Sequence, residues 1–134
     1  MSQGSLAVVE EWLAAVNHGD TRRVVQLSAG DIEISGPRGV TRGREVLAGW
    51  LARAGFSAEP VRWFCGADGA VVAGQEARWA DPVTGAVRGS ARVASQFRVE
   101  AGQVTRYARH ADLAAALAAA GLGEDDEVTR RGLP

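Results

Sequence analysis

The chain has 134 residues, of which 46% are hydrophobic and 23% charged, as in an ordinary soluble globular protein with a single core. Fifteen basic and sixteen acidic groups give a formal net charge of −1, which argues against a nucleic-acid partner because nucleic-acid-binding domains are usually clearly basic. No apolar run is long enough to span a membrane, and the first residues lack the pattern of a secretory signal. We therefore expect a cytoplasmic protein without a membrane partner.

The single cysteine, Cys65, cannot form an internal disulfide. No second thiol or histidine cluster accompanies it, so we expect no metal and no cofactor. Cys65 itself is expected to be a small buried apolar residue, because no base stands near it in sequence.

Two helices and a strand are predicted in the first quarter of the chain. Apolar residues three and four apart within residues 6–16 predict an amphipathic helix from Ser5 to about Gly19. Asp20 is the expected N-cap of a short second helix. Residues 31–35 then alternate between polar and apolar, which predicts a short strand.

Thr41 is the expected N-cap of a third helix that ends at Gly55. Beyond it the period changes from helical to alternating, and Gly-containing turns divide the segment. This predicts a meander of four antiparallel strands, with Ala80 opposite Val87. The strands are expected near residues 59–66, 70–80, 86–100 and 103–110.

Asp112 is the expected N-cap of a last helix, which ends at Gly121. Residues 123–134 have little to bury and are expected to form a mobile tail. The predicted organisation is one domain over residues 1–122, followed by that tail.

The lengths of the turns determine which side chains are expected on each face of the sheet. If Asp68-Gly69 forms a two-residue turn, Trp63 lies opposite Gly74, and both Glu76 and Arg78 fall on the apolar core face. Buried charges are costly unless they pair or line a cavity, so this face predicts a small-molecule pocket. The alternative is a plain strand-end salt bridge, since a shift of one residue would turn both side chains outward.

The order of elements and three segments of sequence resemble the nuclear transport factor 2-like superfamily, in its SnoaL-like branch. The segments are Trp12 through Asp20, Leu27 through Pro37, and Gly102 through Val104 leading to Arg109-His110. The resemblance covers about residues 5–121. It implies an α+β, cystatin-like cone, in which a strongly bent antiparallel sheet is wrapped by three N-terminal helices and followed by a short C-terminal helix. It also implies a site at the open end and a homodimer through the outer sheet face.

The superfamily includes ketosteroid isomerases, limonene epoxide hydrolases, polyketide cyclases and non-catalytic binding proteins, so the fold alone does not give the function. The isomerases' oxyanion Tyr, general-base Asp and protonated Asp correspond by resemblance to Trp12, Gly36 and Ser95. Because none of these can play the same role, we do not expect that isomerase reaction.

The Asp-Arg-Asp set of the epoxide hydrolases falls, by resemblance, near Glu76, Arg78 and Arg109. The charge order is reversed and one carboxylate is replaced. A carboxylate beside a guanidinium can still orient water, which leaves hydrolysis open.

We expect a cavity that binds a small, mainly apolar molecule, polyketide- or terpenoid-like, with an acceptor or acidic group for an Arg. Isomerase, cyclase or hydrolase chemistry is left open. The catalytic candidates are Glu76, Arg78 and His110, the last because a strand-end imidazole at the cone mouth suits acid–base chemistry. The ligand-binding candidates are Trp12, Trp50, Trp63, Ser95, Tyr107 and Arg109, of which Tyr107 and Arg109 face inward if a bulge follows Val104.

A rival hypothesis is a non-catalytic protein-interaction module with a closed cavity. In that case the outer face, with Arg62, Arg88, Arg92 and Trp79, binds a partner protein. The volume of the cavity distinguishes the two hypotheses.

Overall fold

The computed structural model describes residues 2–36, 39–54, 56–67, 69–80, 83–84 and 86–128. Within them, the helices are α1 (Ser2–Asn17), α2 (Thr21–Gln26), α3 (Arg44–Ala54) and α4 (Leu113–Ala120). The strands are β1 (Ser28–Gly36), β2 (Gly39–Arg42), β3 (Phe56–Cys65), β4 (Ala70–Ala80), β5 (Val87–Glu100), β6 (Gln103–His110) and β7 (Glu127–Val128).

These strands form one sheet in the order β2-β1-β6-β5-β4-β3-β7, in which β1 and β6 are parallel and the other neighbouring pairs antiparallel. Helix α1 packs on one face of the sheet, which we call the inner face, and α4 packs on the opposite, outer face. The expected α+β, cystatin-like architecture is confirmed. No described helix has the length and apolar character needed to cross a membrane.

Two predicted helix caps are confirmed by side-chain hydrogen bonds. The Asp20 Oδ1 atom accepts a hydrogen bond from the Arg23 N–H at 3.1 Å, and Asp112 Oδ1 accepts one from the Ala115 N–H at 2.8 Å. Gly121 ends α4 with φ 73°, the left-handed conformation that glycine adopts without cost.

The predicted cap of the third helix is wrong. Thr41 lies in β2, opposite Ile34 of β1, and is not at a helix start. The Gly43 carbonyl instead accepts a hydrogen bond from the Leu47 N–H at 3.2 Å, which makes Gly43 the N-cap residue that precedes α3. The strand escaped prediction because its four residues are all exposed and show no alternation in burial.

The predicted register between β3 and β4 is wrong by one residue. The Gly66 N–H donates to the Ala70 carbonyl at 3.0 Å, so the loop contains three residues rather than two. Its last residue, Gly69, has φ 77°, which is typical of a three-residue hairpin loop ending in the left-handed region. As a result Trp63 lies opposite Ala73, not opposite Gly74.

Residues 123–128, expected to lack packing, contact the edge of the sheet. In β7, Glu127 lies opposite Phe64 and Val128 opposite Trp63. The Arg62 guanidinium donates to Glu127 through Nε at 2.9 Å and to Glu124 through Nη2 at 2.7 Å. The tail prediction is therefore wrong for these residues, while residues 129–134 lie outside the described part of the chain.

Replacing Gly69 with Ala should destabilise the fold more than the same change at Gly102. Both glycines have nearly the same φ, 77° and 78°, so both changes carry the left-handed cost of about 1 kcal/mol. A Cβ at Gly69 would lie 2.0 Å from the Val99 carbonyl oxygen, whereas nothing lies within 4 Å of one at Gly102. Urea unfolding should show an extra loss of about 1 kcal/mol or more for Gly69→Ala. Equal losses would contradict the close approach.

Arg62→Gln should loosen the segment that ends in β7. Arg62 holds the pKa of Glu127 below its ordinary value of 4.5, so this contribution to stability is complete above pH 4.5 and is lost as the pH falls through the lowered value. The protection factors of the amides at residues 124–128 against hydrogen exchange should fall in the variant at neutral pH, and in the parent on acidification. Arg98→Gln, at an exposed position of β5, is the control. Unchanged exchange in Arg62→Gln would mean that the backbone pairs alone hold the segment.

Candidate functional site

An aromatic cluster lies at the centre of the inner face. The ring centroid of Trp12 is 5.3 Å from that of Phe97 and 4.9 Å from that of Tyr107. The Trp12 indole N–H donates to the Ser28 hydroxyl at 3.0 Å, and this hydroxyl donates to the Val24 carbonyl at 2.7 Å. The indole is therefore fixed in orientation and is a packing residue of the core.

A bulge in β6 turns the next residues toward this cluster. Arg106 lies opposite Arg98 of β5, but Val104 lies opposite Val99, so Thr105 is the extra residue. The expectation that a bulge after Val104 turns Tyr107 inward is confirmed by its contacts with Trp12 and Phe97.

Three buried polar side chains form a hydrogen-bonded row on the inner face, which we call the polar row. They are Gln75, Ser95 and Tyr107, with exposures of 2%, 2% and 3%. The Ser95 hydroxyl donates to the Gln75 side-chain oxygen and also shares a hydrogen bond with Tyr107. A hydroxyl has one hydrogen, so in this arrangement the Tyr107 hydroxyl donates to Ser95.

Sequence reasoning missed Gln75, which the expected register placed on the outer face. The Ala67-Asp68-Gly69 segment carries no signal that would have found it, because a left-handed glycine suits a two-residue and a three-residue loop alike, and only the three-residue loop shifts every residue of β4 by one position.

Arg109 adds a positive charge beside the polar row. It lies opposite Ser95 in the register, two residues beyond Tyr107 on the same face, and is half-buried. Burial raises the pKa of Tyr107 to about 12, while the nearby Arg109 charge acts in the opposite direction. At neutral pH the site therefore combines an un-ionised phenol with a guanidinium, which suits an acceptor or anionic group of a ligand.

The three catalytic candidates lie on the outer face instead. Glu76 and Arg78 lie two and four residues after Gly74 and so share its face of the sheet, and a Cβ added at Gly74 would lie 3.6 Å from Leu113 of α4. Arg78 is exposed, and Glu76 lies half-buried opposite Arg92. The prediction that the two charges line the inner face is wrong, because it rested on the two-residue loop.

His110 also lies on the outer face, half-buried, with Nε2 3.0 Å from the Gln96 side-chain oxygen. It is therefore separated by the sheet from Tyr107 and Arg109.

Ala80 does lie opposite Val87 as expected, but a bulge next to that pair shifts the rest of the β4–β5 register by one residue.

The remaining candidates divide between the core and the edge of the sheet. Trp63 is on the inner face, 8% exposed, and lines a groove of about 270 Å³ between α1 and β3. The side chain of Trp50 lies outside the described residues, as do those of Trp79 and Arg88.

A second, larger cleft of about 990 Å³ lies at the hairpin end of the sheet, near the start of α1. Its described walls are mainly glycine and alanine, with Ser5, Cys65 and Asp126 as the lining residues whose side chains carry a hydroxyl, a thiol and a carboxyl group. Within the described part of the chain, no group of His, Cys, Asp or Glu is arranged to hold a metal ion.

The sequence model of the SnoaL-like domain matches residues 9–107. No curated protein matches the chain. A nuclear transport factor 2-like protein from Burkholderia xenovorans superposes with a TM-score of 0.68 at 25% identity, over 90% of this chain and 97% of that one. Another from Cytophaga hutchinsonii gives 0.70 at 16% identity, over 81% and 89%. TerC, co-crystallised with polyporic acid, gives 0.70 at 15% identity, over 87% and 97%.

The ionisation of Tyr107 should be readable without interference, because it is the only tyrosine in the chain. Absorbance at 295 nm should show a midpoint near pH 12 in place of the ordinary value of 10. The raised pKa stabilises the fold fully below pH 10, and that contribution is lost as the pH rises through about 12.

The matched variant is Tyr107→Phe, which removes this alkaline dependence of stability. It also removes the hydroxyl that contacts Ser95, at a cost of about 1 kcal/mol or more at neutral pH. A midpoint near pH 10 in the folded protein would contradict the burial of the phenol.

Proposed function

Since the chain belongs to the SnoaL-like domain family, we propose that it binds a small, mainly apolar molecule at the inner face through an acidic or acceptor group held by Arg109. The polar row is the observation that carries the proposal. Three buried hydrogen-bonding side chains stand on an otherwise apolar wall, next to a half-buried guanidinium. Apolar walls with a few fixed polar groups are typical of small-molecule sites.

The hydrogen bonds of the polar row fix the orientation of the side chains next to Arg109. Burying a hydroxyl or an amide is costly without hydrogen bonds, so the partners of Ser95 restrict its rotation and that of Tyr107. A ligand acceptor near Arg109 would therefore bind the guanidinium beside side chains whose orientation is already fixed, which lowers the entropic cost of binding.

Binding is favoured over acid–base catalysis by the side chains of the inner face. Among its described residues on β4, β5 and β6, none carries a carboxylate or an imidazole that could move a proton at neutral pH. Tyr107, with its raised pKa, would act as a hydrogen-bond donor rather than as a base.

The ligand class has a precedent in proteins of the same fold. TerC was co-crystallised with polyporic acid, and a ketosteroid isomerase-like protein from Catenulispora acidiphila was solved with trimethylamine. An acidic ligand agrees with the charge of Arg109. The polyketide- or terpenoid-like character of the ligand and a homodimer through the outer face stay proposals.

The interaction-module alternative has less support. Arg62, one of its expected contact residues, is bound to Glu124 and Glu127 of the same chain. In addition, α4 packs over Phe64 and Val72 on the outer face. A partner protein could bind only to the part of the outer face that α4 leaves uncovered.

The proposal is tested with 2-naphthoate and its neutral analogue 2-naphthylmethanol. Calorimetry should show that the carboxylate binds the parent protein more tightly than the alcohol. At a concentration one hundred times its Kd, it should raise the free energy of unfolding by about 2.7 kcal/mol.

Two arginine variants provide the comparison. Arg109→Gln should abolish the preference for the carboxylate, whereas Arg98→Gln, on the outer side of β5, should retain it. The same preference in both variants, or none in the parent protein, would contradict a role for Arg109 as the anion-binding residue.

A further inference from the structure

We propose that the ligand of the inner face carries a hydroxyl group as well as its acidic group, and that Gln75 determines this requirement by fixing the direction of the hydrogen bonds in the polar row. The inference rests on the proposed binding of an acid at Arg109 and adds a second, specific contact to it. The acidic group pairs with Arg109, and the ligand hydroxyl donates to the Tyr107 oxygen. The ligand class is therefore a mainly apolar hydroxy acid.

The direction of the hydrogen bonds in the polar row is set at Gln75. The side-chain oxygen of an amide carries no hydrogen and can only accept, so its contact with Ser95 uses the single hydrogen of the Ser95 hydroxyl. The Ser95 oxygen then accepts from the Tyr107 hydroxyl, with which it shares the next hydrogen bond. Both hydroxyl hydrogens therefore point along the row from β6 toward β4.

Toward a ligand, the Tyr107 oxygen is consequently an acceptor. A phenol has one hydrogen and two acceptor lone pairs, and here the hydrogen goes to Ser95. Tyr107 is 3% exposed and lies among Trp12, Phe97 and the partly buried Ile34. A ligand hydroxyl that reaches this oxygen has lost its hydrogen bonds to water and needs an acceptor in their place.

The spacing of Tyr107 and Arg109 separates the two groups of the ligand. The two residues stand two positions apart on one face of β6, opposite Phe97 and Ser95 of β5. Their Cα atoms are therefore about 7 Å apart. The hydroxyl and the acidic group then belong to different positions of the ligand, as on a ring system that bears both without their being adjacent.

The hydroxyl contact also excludes related ligands. A site that accepts a hydrogen bond from a substrate hydroxyl discriminates strongly against an analogue that lacks the hydrogen, because a buried polar group is then left unpaired. In a methyl ether, the ether oxygen and the Tyr107 oxygen would meet as two acceptors with no hydrogen between them. The arrangement thus separates hydroxy acids from their methyl ethers, although both carry the acidic group that Arg109 binds.

The test compares 4-hydroxy-2-naphthoate with 4-methoxy-2-naphthoate by calorimetry at neutral pH. In both probes the substituent is not adjacent to the carboxylate, so the hydroxyl does not bond to it internally. The parent protein should bind the hydroxy acid about threefold to tenfold more tightly, as expected for one net hydrogen bond. Tyr107→Phe should abolish this difference, whereas an effect of the larger methyl ether alone would persist in that variant.

Two glutamine variants test the role of Gln75. In Gln75→Leu the Ser95 hydrogen can turn to the Tyr107 oxygen, and the phenol hydrogen can then point to the ligand. Both probes offer an acceptor oxygen to that hydrogen, so the difference between them should vanish. Gln96→Leu replaces the buried glutamine of the outer face, which contacts His110, and should retain the difference.

The ionisation of Tyr107 reports the direction of the row without any ligand. In Gln75→Leu the Ser95 hydrogen can stabilise the phenolate, so the midpoint at 295 nm should fall below the value of about 12. In Gln96→Leu it should stay near that value. An unchanged midpoint in folded Gln75→Leu would contradict the assigned direction, and Gln75→Met serves the same test if the leucine variant does not fold.

The outcomes distinguish this inference from the proposed function. If the two probes bind equally well, and both more tightly than 2-naphthylmethanol, the acid site stands and the hydroxyl contact is overturned. Tighter binding of the methyl ether would also overturn it, since the row would then donate toward the ligand. If neither acid binds, the proposed function fails and the hydroxyl contact with it. The comparison of the probes on the parent protein needs no variant.

Discussion

The inner face depends on one extra residue in β6. Without the bulge at Thr105, the alternation that starts at the buried Val104 would turn Arg106 and His110 inward and leave Tyr107 outside. With it, Tyr107 completes the aromatic cluster, and Arg106 lies on the outer face, where its Nε is 3.2 Å from Glu33. A phenol that can be buried replaces a guanidinium that cannot, which is the physical reason why the bulged register is favoured.

The β3–β4 loop has the same kind of effect on β4. Because the chain reverses over three residues and not two, Gln75 enters the core and Glu76 leaves it. The buried amide finds a partner in Ser95, whereas a buried carboxylate at this position would need a counter-charge. Loop length and hydrogen-bond satisfaction therefore select the same register, and the uncharged polar row is the result.

The sequence predicted the elements better than their register. Periodicity placed two strands with the observed bounds, 70–80 and 103–110, and side-chain chemistry identified the caps Asp20 and Asp112. It could not decide between a two- and a three-residue loop, because both place glycine in the left-handed region. Hence Tyr107 and Ser95 were placed correctly, Gln75 was missed, and Glu76 was put on the wrong face. The short β7 has only two residues and no pattern to detect.

The packing of α1 against β5 and β6 has a consequence for the order of assembly during synthesis. Trp12 leaves the ribosome early, but its ring partners Phe97 and Tyr107 belong to the last third of the chain. Contacts between residues so far apart in sequence carry a large loop-closure cost, whereas the neighbouring strands β3 to β6 pair with their neighbours in sequence. The nascent helix α1 therefore has an incomplete surface to pack against until β6 has emerged. The apolar side of α1 stays without its full set of partners until most of the domain has been made.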